Sequence, residues 1–557
     1  MPELAENISY AREYDGTGEW RTQQSTPWLS NNGQEEVSVL TETLLPPVFS
    51  LQSGFYEKEI DLSIFASGNG ISIYYTTDGS EPDLNSCLYD GKIHISEVSS
   101  RENVYSARTD TSAAVYYDES FAVPDSPVDK GQVIRARAYD RDGNISPIVT
   151  GVFFVGYDNA QAYENMAVLS LVTDPSNLFD YDKGIYVLGR SYFESEENED
   201  YEGQWQFMEA NYRMGGRQTE RPVHIDFFGE NKELLVSQEA GMRVKGNFSR
   251  GLVQKSFNLY ARKEYSGQGD FGYSFFDGEH YNTAVTLFSG GNDIRGKMMD
   301  YLAQTLAEGL HFDSMCFRPC AVFLDGEYWG FYYLTEKYDA DFIEQYYDID
   351  KADLVMIKDK KLNYGTREDY DQYSEEKDFL CEEDMAVSEN YEQFCAMYDV
   401  DSFVDYYAFA ICIGREGDWP GNNWAMWRTR IPSGYDKWRW MLYDVNFTCM
   451  QDPAFNSFAY LFEQDEGFSN LMRNPVFRSL LFERIDELVQ GPLHESNVVP
   501  LIDRMAENNR RQMKKHYNRF YNGIYSEETF DEEVSVIRKF FEIRRLYVAE
   551  YVERYRQ

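Results

Sequence analysis

Residues Ile411–Cys449 decide the fold class of this chain, and their sequence is ICIGREGDWPGNNWAMWRTRIPSGYDKWRWMLYDVNFTC. A helical run enters the stretch, and Asp418 and Asn423 follow it, five residues apart. A strand-like run from Lys437 to Leu442 then ends close to a second aspartate, Asp444. The stretch thus holds an acid and an amide in one loop and another acid after a strand.

This spacing is the one that protein kinases use for a catalytic base, a metal-binding asparagine and a metal-binding aspartate. On that interpretation Asp418 orients the acceptor hydroxyl, and Asn423 and Asp444 bind metal ions. The other interpretation places Asp418 and Asn423 in ordinary turns around Pro420-Gly421, because a pair at this spacing is common by chance. The spacing alone leaves both interpretations open.

Composition narrows the class of protein. The chain has 557 residues, 43% of them hydrophobic and 16% aromatic, which predicts large cores and two to four domains. The net charge of −43 disfavours nucleic acid and anionic membranes as partners. A nucleotide cleft on such a chain needs local cations and metal ions.

The seven cysteines are sparse and odd in number, so we expect free thiols rather than disulfides or a structural zinc site. No apolar run approaches the length of a membrane span, about 18 residues. Residues 1–40 contain no signal-peptide core. The sequence therefore predicts either a cytoplasmic protein or one whose export segment has been removed.

The N-terminal third is predicted to be all-β. Residues 8–32 resemble the closing strand of a lamin-tail-type β-sandwich, and a flexible leader over 1–44 is the alternative. Residues 45–156 contain short alternating strands with Asp-Gly turns, which favours an immunoglobulin-like sandwich. The phrases YYTTDGSEP and IRARAYDRDGNIS resemble the chitobiase/hexosaminidase C-terminal module, which implies a spacer or a contact with carbohydrate or a cell surface.

Residues 160–555 are predicted to form one large α+β domain. Strands dominate from about 160 to 335, with a helix beginning at Asp293 and a hairpin turned by Asp325-Gly326. Helices dominate from about 339 to 555, the first of them capped by Asp339. A strand-rich part followed by a helical part is the order of a two-lobed protein-kinase-like fold.

A phosphate cradle is predicted in the segment from Arg243 to Lys255, which holds four cations (Arg243, Lys245, Arg250 and Lys255) and the polar residues Asn247 and Ser249. Gly246 and Gly251 permit close backbone approach to phosphate. Lys255 is the predicted ligand of the α- and β-phosphates. The motif matches no standard phosphate loop, so an exposed basic hairpin is the alternative.

Three further residues have two interpretations each. Asp293 is either the acidic partner of the cleft lysine or a helix N-cap. Arg295 either reaches phosphate or pairs within the protein. Glu336, after the hairpin, either binds ribose or a nearby cation, or is an ordinary surface glutamate.

Taken together, these motifs resemble the CotH kinase family over about 165–550. The matching pieces are Arg243…Gly246-Asn247…Ser249…Lys255-Ser256, Asp293-Ile-Arg295, Asp325-Gly-Glu-Tyr-Trp-Gly-Phe-Tyr with Glu336, Asp418…Asn423, and Lys437-Trp438 leading to Tyr443-Asp444-Val-Asn446. The resemblance implies an atypical protein kinase that uses ATP and Mg²⁺ or Mn²⁺ to phosphorylate Ser or Thr of a protein.

The resemblance also implies a coat or cell-surface acceptor and a location at the spore coat or outside the cell. Asn446 stands where the family commonly has a second acid, so this metal position carries one charge fewer. That substitution keeps a second function open: a weakly active or inactive nucleotide-binding or surface interaction protein. A carbohydrate-associated protein is a third reading, although no pair of hydrolytic carboxylates can be identified.

Overall fold

A computed structural model describes residues 44–119, 121–157, 163–276, 280–446 and 449–556, together with the backbone of 8–14 and 17–24. The first two strands, β1 (Ile8–Tyr14) and β2 (Thr17–Gln24), form an antiparallel hairpin. The rest of the predicted leader lies outside the described residues, so its resemblance to a lamin-tail domain stays a prediction.

A β-rich module follows, and its main sheet has the strand order β4-β11-β10-β7-β8. Two short pairs, β3 with β6 and β5 with β9, complete it. Alternate side chains of these strands form a separate apolar core, with Leu62, Ile134 and Phe153 fully buried. The elements are β3 (Val48–Phe49), β4 (Gly54–Tyr56), β5 (Ile60–Leu62), β6 (Ile64–Phe65), β7 (Ser72–Thr76), β8 (Cys87–Leu88), β9 (Ile93–Ile95), the helical turn α1 (Ala114–Tyr117), β10 (Gln132–Tyr139) and β11 (Val149–Val155).

The next seven strands close into a barrel in the order β12-β13-β14-β15-β16-β18-β17, with β12 and β17 parallel. Every one of them contributes to one apolar cluster, so that cluster fills the barrel interior. The strands are β12 (Ala167–Val172), β13 (Arg221–Phe228), β14 (Leu234–Lys245), β15 (Ser256–Tyr260), β16 (Ala284–Phe288), β17 (Phe317–Leu324) and β18 (Glu327–Thr335).

The hairpin between β17 and β18 confirms a prediction made from local chemistry. Asp325 and Gly326 both have positive φ, at 45° and 86°, as a two-residue turn of this kind requires. Glu327 follows the turn and is 4% exposed. Its carboxylate accepts hydrogen bonds from the backbone N–H groups of Val104 and Ser106, so the β-rich module is docked on the barrel.

Short helices decorate the barrel, and a longer one closes its side. The short ones are α2 (Pro175–Phe179), α3 (Gly189–Phe193), α4 (Glu196–Glu199) and α5 (Lys263–Ser266). The longer one, α6 (Met299–Leu306), begins later than predicted, so the predicted start at Asp293 was wrong. The Asp293 carboxylate accepts from the N–H groups of Gly296, Met298 and Met299 and therefore acts at the start of the helix, as its capping interpretation requires.

The C-terminal half combines a four-stranded sheet with helices. The sheet has the order β20-β19-β21-β22, and Asp339 caps α7 as predicted. Within the described ranges, no helix combines the length and apolarity needed to cross a bilayer. The elements are α7 (Ala340–Tyr347), β19 (Leu354–Lys358), β20 (Lys361–Tyr364), α8 (Arg367–Glu382), α9 (Ser388–Met397), α10 (Val400–Cys412), β21 (Trp424–Thr429), β22 (Arg439–Leu442), α11 (Ser457–Gln464), α12 (Glu466–Leu471), α13 (Pro475–Gln490), α14 (Glu495–Phe520) and α15 (Glu527–Arg556).

The chain is thus β-rich at its N-terminal end and mixed α and β beyond it, which confirms the coarse prediction of fold class. The finer prediction, a two-lobed kinase-like arrangement with a boundary near residues 335–339, stays a prediction. The position of interest is the region where the end of β14, the start of α6 and the ends of β19 and β22 approach one another.

Candidate active site

Two lysines from different parts of the fold face one tyrosine ring. Lys245 is the last residue of β14, and Lys358 is the last residue of β19. Their ammonium groups lie 5.9 Å and 3.6 Å from the centroid of the Tyr443 ring. Burial lowers the pKa of both lysines, because the charged form loses solvation. The fold therefore concentrates positive charge here, on a chain whose net charge is −43.

Two carboxylates share this region. Asp444 directly follows Tyr443 and has a φ of 51°, so the chain turns sharply after β22. Burial raises the pKa of Asp444, while Lys245, Lys358 and Arg415 act in the opposite direction. Asp300, in the first turn of α6, has its pKa raised to about 7 by burial and by the charge of Asp444. The site thus places two carboxylates, one buried and one half-buried, beside the cations Lys245, Lys358 and Arg415.

Arg415 connects the two loops of the opening stretch. It is fully buried, and its guanidinium donates to the carbonyls of Asn423 (2.5 Å) and Tyr443 (2.9 Å). It also donates to the Tyr406 hydroxyl at 2.8 Å. Because one side chain spans both loops, it fixes where Asn423 and Asp444 lie relative to each other. Arg415 was not predicted as a functional residue; the available signal was a single cation directly after the apolar run that ends α10.

Asn423 and Asp418 lie in the loop that Arg415 holds. Asn423 has a φ of 63°, and its backbone N–H donates to the Asp359 carboxylate at 2.7 Å. Asp418 is exposed, and its carbonyl accepts from the N–H of Asn422 at 2.7 Å. Tyr460 donates to the carbonyls of Gly417 and Trp419 and so supports the same turn. Asp418 is therefore open to solvent.

The side-chain amide of Asn446 links Asp444 to the backbone of Asn292. Its side-chain N–H donates to Asp444 Oδ1, and its side-chain oxygen accepts from the Asn292 N–H at 3.0 Å. The Asp444 carboxylate can only accept and the Asn292 N–H can only donate. These two partners therefore fix which end of the Asn446 amide faces each of them. A side-chain carbon on Gly291 would lie 2.8 Å from this amide, which explains the glycine. These contacts hold Asp444 in place, and the metal-ligand role of Asn446 stays a prediction.

Lys255 lies away from these groups. It is fully buried, and its ammonium donates to the carbonyls of Arg250 (2.7 Å) and Leu252 (2.8 Å). The same group lies 3.9 Å from the centroid of the Tyr212 ring. These hydrogen bonds stabilise the C-terminal part of the loop between β14 and β15. Lys245 pairs across the β14–β15 ladder with Ser256, the neighbour of Lys255, and its ammonium is the one near Tyr443. The phosphate-binding role of Lys255 stays a prediction.

The other cradle residues lie at or beside this loop. Arg243 shares a strand face with Lys245, lies 4.5 Å from the Tyr260 ring centroid and is 3.4 Å from the Glu220 carboxylate. Asn247 is exposed, and its backbone and side-chain oxygens both accept from Arg213. Ser249 packs over Gly246, whose φ is 114°. The turn is therefore compact, with its exposed face formed by Asn247.

Arg295 and Glu336 have partners of their own. Arg295 forms ion pairs with Glu532 (3.4 Å) and Glu533 (2.8 Å) of α15, which is the internal pairing that the sequence left open. Glu336 is 4% exposed and accepts from the Cys316 N–H and the Tyr346 hydroxyl. Both side chains thus have partners within the protein. The predicted nucleotide-binding roles of Arg295 and Glu336 stay predictions.

Two models of protein families match parts of this chain. A family model described as CotH kinase protein matches residues 242–548, just over half of the chain. The chain belongs to the CotH kinase protein family. The match contains Lys245, Asp300, Lys358, Arg415 and Asp444, so the cluster described above lies within the CotH region.

A second model, described as Fn3 associated, matches residues 62–153. It covers most of the β-rich module, and the two matches together confirm the resemblance to CotH proteins with a β-sandwich module before it. No curated protein matched the chain.

The CotH region offers a donor set that suits a magnesium-type ion. Among the described residues, no three His, Cys, Asp or Glu side chains converge as a ready-made metal cage. Mg²⁺ is usually held by one or two carboxylates together with phosphate oxygens and water. Asp444 is a half-buried carboxylate whose pKa is raised by burial and lowered by Lys245, Lys358 and Arg415. It is one carboxylate of the kind that such an ion takes, and the predicted ligand role of Asn423 stays a prediction.

Proposed function

We propose that this chain is an ATP-dependent atypical protein kinase that transfers the γ-phosphate to Ser or Thr of a protein. The observation that carries the proposal is the pairing of Lys245 and Lys358 around Tyr443, immediately beside Asp444. Both lysines are half-buried at the ends of two strands, with Asp444 near both of them. A bound triphosphate would compensate their charges.

The proposal gives each group a task in phosphoryl transfer. Lys245 and Lys358 bind phosphate oxygens, and Asp300 orients Lys245 from the first turn of α6. Asn247 and Ser249 supply the exposed edge of the loop that covers the phosphates. Asp418 orients the acceptor hydroxyl and takes its proton as the bond to phosphorus forms.

Asp444 and Asn423 are the proposed metal ligands, and Asn446 positions Asp444. A bound Mg²⁺ or Mn²⁺ supplies positive charge to the β- and γ-phosphate oxygens. Arg415 supports both ligand loops from beneath. Because Asn446 replaces an acid, we propose that this site depends more on Asp444 than a site with two acids would.

The domain organisation is also a proposal. We assign 1–44 to a leader, 45–156 to the β-sandwich module, and 160–555 to the kinase domain, with a strand-rich lobe to about 335 and a helical lobe from about 339. The acceptor is proposed to be a coat or cell-surface protein, and the sandwich to supply a spacer or a contact with a surface or carbohydrate. The closed barrel and the helix-rich half support this division.

A second function is supported by Asn446. If the single acid Asp444 recruits too little positive charge for transfer, the chain binds nucleotide and acts as a weakly active or inactive interaction protein. The hydrogen bond from Asn446 keeps Asp444 in place without a metal ion, which such a protein would require.

Incubation with γ-labelled ATP and Mg²⁺ or Mn²⁺ tests the proposal. The wild-type protein should label itself or a generic protein acceptor, whereas Asp444→Asn and Asp418→Ala should each reduce labelling at least about a hundredfold. Glu416→Gln, in the same loop, is the matched control. Absence of labelling together with an ATP-dependent rise in unfolding temperature would favour the second function; absence of both would exclude nucleotide chemistry.

A further inference from the structure

Residues 510–519 of helix α14 form a basic segment with five cations, and four of these cations are paired with acids. The four of them each form an ion pair with an acid: Arg510 with Asp531, Arg511 with Glu164, Lys514 with Glu527, and Lys515 with Asp129. Arg519 lies one turn further on and is only 5% exposed. Its Nε has no hydrogen-bond partner, and no carboxylate in the described part of the chain forms an ion pair with it. The most buried cation of the segment is thus the one without a counter-charge.

Two aromatic rings fix the plane of this guanidinium. Its central carbon lies 4.3 Å from the ring centroids of both Trp329 and Phe520. The two rings are nearly perpendicular to each other, at 84°, so the guanidinium lies in the corner between them. Stacking uses the faces and leaves the N–H edges for hydrogen bonds. The Arg519 guanidinium is therefore held in position by the rings, while its Nε–H lacks a hydrogen-bond acceptor.

His516 faces the same place from one turn earlier. It is fully buried, and within the described residues neither ring nitrogen has a hydrogen-bond partner. Its ring lies 5.2 Å from the Phe520 ring that also packs on Arg519. Burial, with the charges of Lys297 and Arg519, keeps the pKa of His516 well below its usual value, so the ring is neutral and offers one N–H. The strand opposite can approach it closely because Gly330 has no side chain.

One further cation and one acid act on this pair. Lys297 is 3% exposed and lies near enough to His516 to act on its pKa. Glu327 acts on the pKa of Arg519, but its oxygens already accept hydrogen bonds from Val104 and Ser106. A buried cation and a buried N–H without partners are both costly, so the fold retains them where something else satisfies them. A group with negative charge and several acceptor atoms satisfies both.

We propose that Arg519 and His516 form a binding site for a small oxyanion of the phosphate or sulfate class, between helix α14 and strand β18. The guanidinium edge suits two oxygens of one tetrahedral anion, and the His516 N–H suits another. Close packing of Phe520 against Gly330 limits the ligand to an inorganic anion and excludes a nucleotide. The bound anion ties the C-terminal helices to the barrel. The inference is independent of the proposed kinase function.

Thermal unfolding without nucleotide or divalent metal tests this site. At constant ionic strength, replacing chloride by phosphate or by sulfate should raise the unfolding temperature of the wild type along a saturable curve. Arg519→Met should lose the saturable rise, and Arg511→Met, which removes an exposed and paired cation, should keep it. Lys245→Met should also keep it, because that variant alters only the cleft. Equilibrium dialysis with labelled phosphate should give one site per chain that disappears in Arg519→Met.

Three results would overturn the proposal. One is an equal rise in the wild type and Arg519→Met, which would mean a general salt effect. Another is a rise lost in Lys245→Met but kept in Arg519→Met, which would assign the anion to the cleft. The third is no response in the wild type to either anion. If Arg519→Met does not fold, Arg519→Lys keeps the charge but lacks the planar fork, and it should bind phosphate at least about tenfold more weakly.

Discussion

At the scale of single residues, the ammonium of Lys245 and the carboxylate of Asp444 are each partly compensated by the other inside the fold. Burial lowers the pKa of the lysine and raises that of the acid, so each charge is held at a cost. Groups held in this way bind an oppositely charged ligand more strongly than the same groups do in water.

The Lys245→Met variant should weaken ATP binding about ten- to a hundredfold, because a charge-assisted hydrogen bond contributes roughly 1.5–3 kcal/mol. Isothermal calorimetry with ATP and Mg²⁺ measures the change. Lys351→Met is the control, since Lys351 is exposed and pairs with Asp341 and Glu344. Equal ATP affinity in the wild type and Lys245→Met would mean that Lys245 does not contact the nucleotide.

Asp300 makes stability depend on pH. Its pKa in the folded state is about 7, well above its value in an unfolded chain, so the folded state holds the proton more tightly. The stabilisation this provides is complete below about pH 4 and is lost as the pH rises to about 7. Asp300→Asn cannot ionise and should therefore gain stability relative to the wild type across that range, by up to about 4 kcal/mol.

Urea unfolding of both proteins at pH 5 and pH 8, in EDTA, measures the difference for Asp300→Asn. Asp378→Asn, at an exposed position in α8, should follow the wild type at both pH values. A wild type and an Asp300→Asn variant with parallel pH profiles would contradict a raised pKa for Asp300.

The same residues show what a sequence can predict. Asp418, Asn423 and Asp444 were found because their spacing along the chain is characteristic. Lys245 and Lys255 both lie in strand-like runs, and the closure of the barrel, which no local pattern contains, determines which groups each ammonium contacts. Asp300 was missed because its relation to Asp444 depends on where α6 begins.

At the scale of elements, local chemistry was a good guide wherever one or two residues determine a conformation. Asp325-Gly326 forms the predicted turn, and Asp339 caps the predicted helix. The start of α6 was predicted wrongly, because the Asp293 carboxylate takes up the N–H groups of the preceding turn and Lys297 has a φ of 53°. The helix start was predicted from the spacing of apolar residues, and that spacing carries no information about this side-chain contact.

The loop after β22 provides a test of how Asp444 is held. In Asn446→Asp the donor to Asp444 is lost and two carboxylates face each other, so the unfolding temperature should fall by several degrees in EDTA. Adding Mn²⁺ should raise the unfolding temperature of Asn446→Asp more than that of the wild type. Asn422→Asp adds the same charge at an exposed position of the 417–423 loop and should show neither effect. A variant as stable as the wild type in EDTA would contradict the positioning role.

At the scale of the whole molecule, one buried glutamate joins two modules. Glu327 of the barrel accepts three hydrogen bonds from the insertion at Val104 and Ser106 in the β-rich module. The order of the modules could be predicted from sequence, because turn chemistry and strand alternation are local. Their docking could not, since the glutamate and its partners lie more than two hundred residues apart.

Glu327→Ala should loosen this docking, because the buried N–H and hydroxyl of Ser106 and the part-buried N–H of Val104 lose their acceptor, at about 1–3 kcal/mol for each buried group. Limited proteolysis should cut the segment around 99–118 faster in Glu327→Ala than in the wild type, with fragments mapped by mass spectrometry. Glu57→Ala, at an exposed site of the same module, should behave as the wild type does. Unchanged cleavage would mean that other contacts suffice to hold the modules together.

The central claim is that ATP binds between Lys245, Lys358 and Asp444. An ATP acyl-phosphate probe acylates the lysine beside the bound phosphates, and peptide mapping identifies that lysine directly. The account predicts labelling of Lys245 or Lys358 that excess ATP suppresses, with Lys255 unlabelled. Labelling of Lys255 that ATP suppresses, or no site that ATP protects, would contradict it.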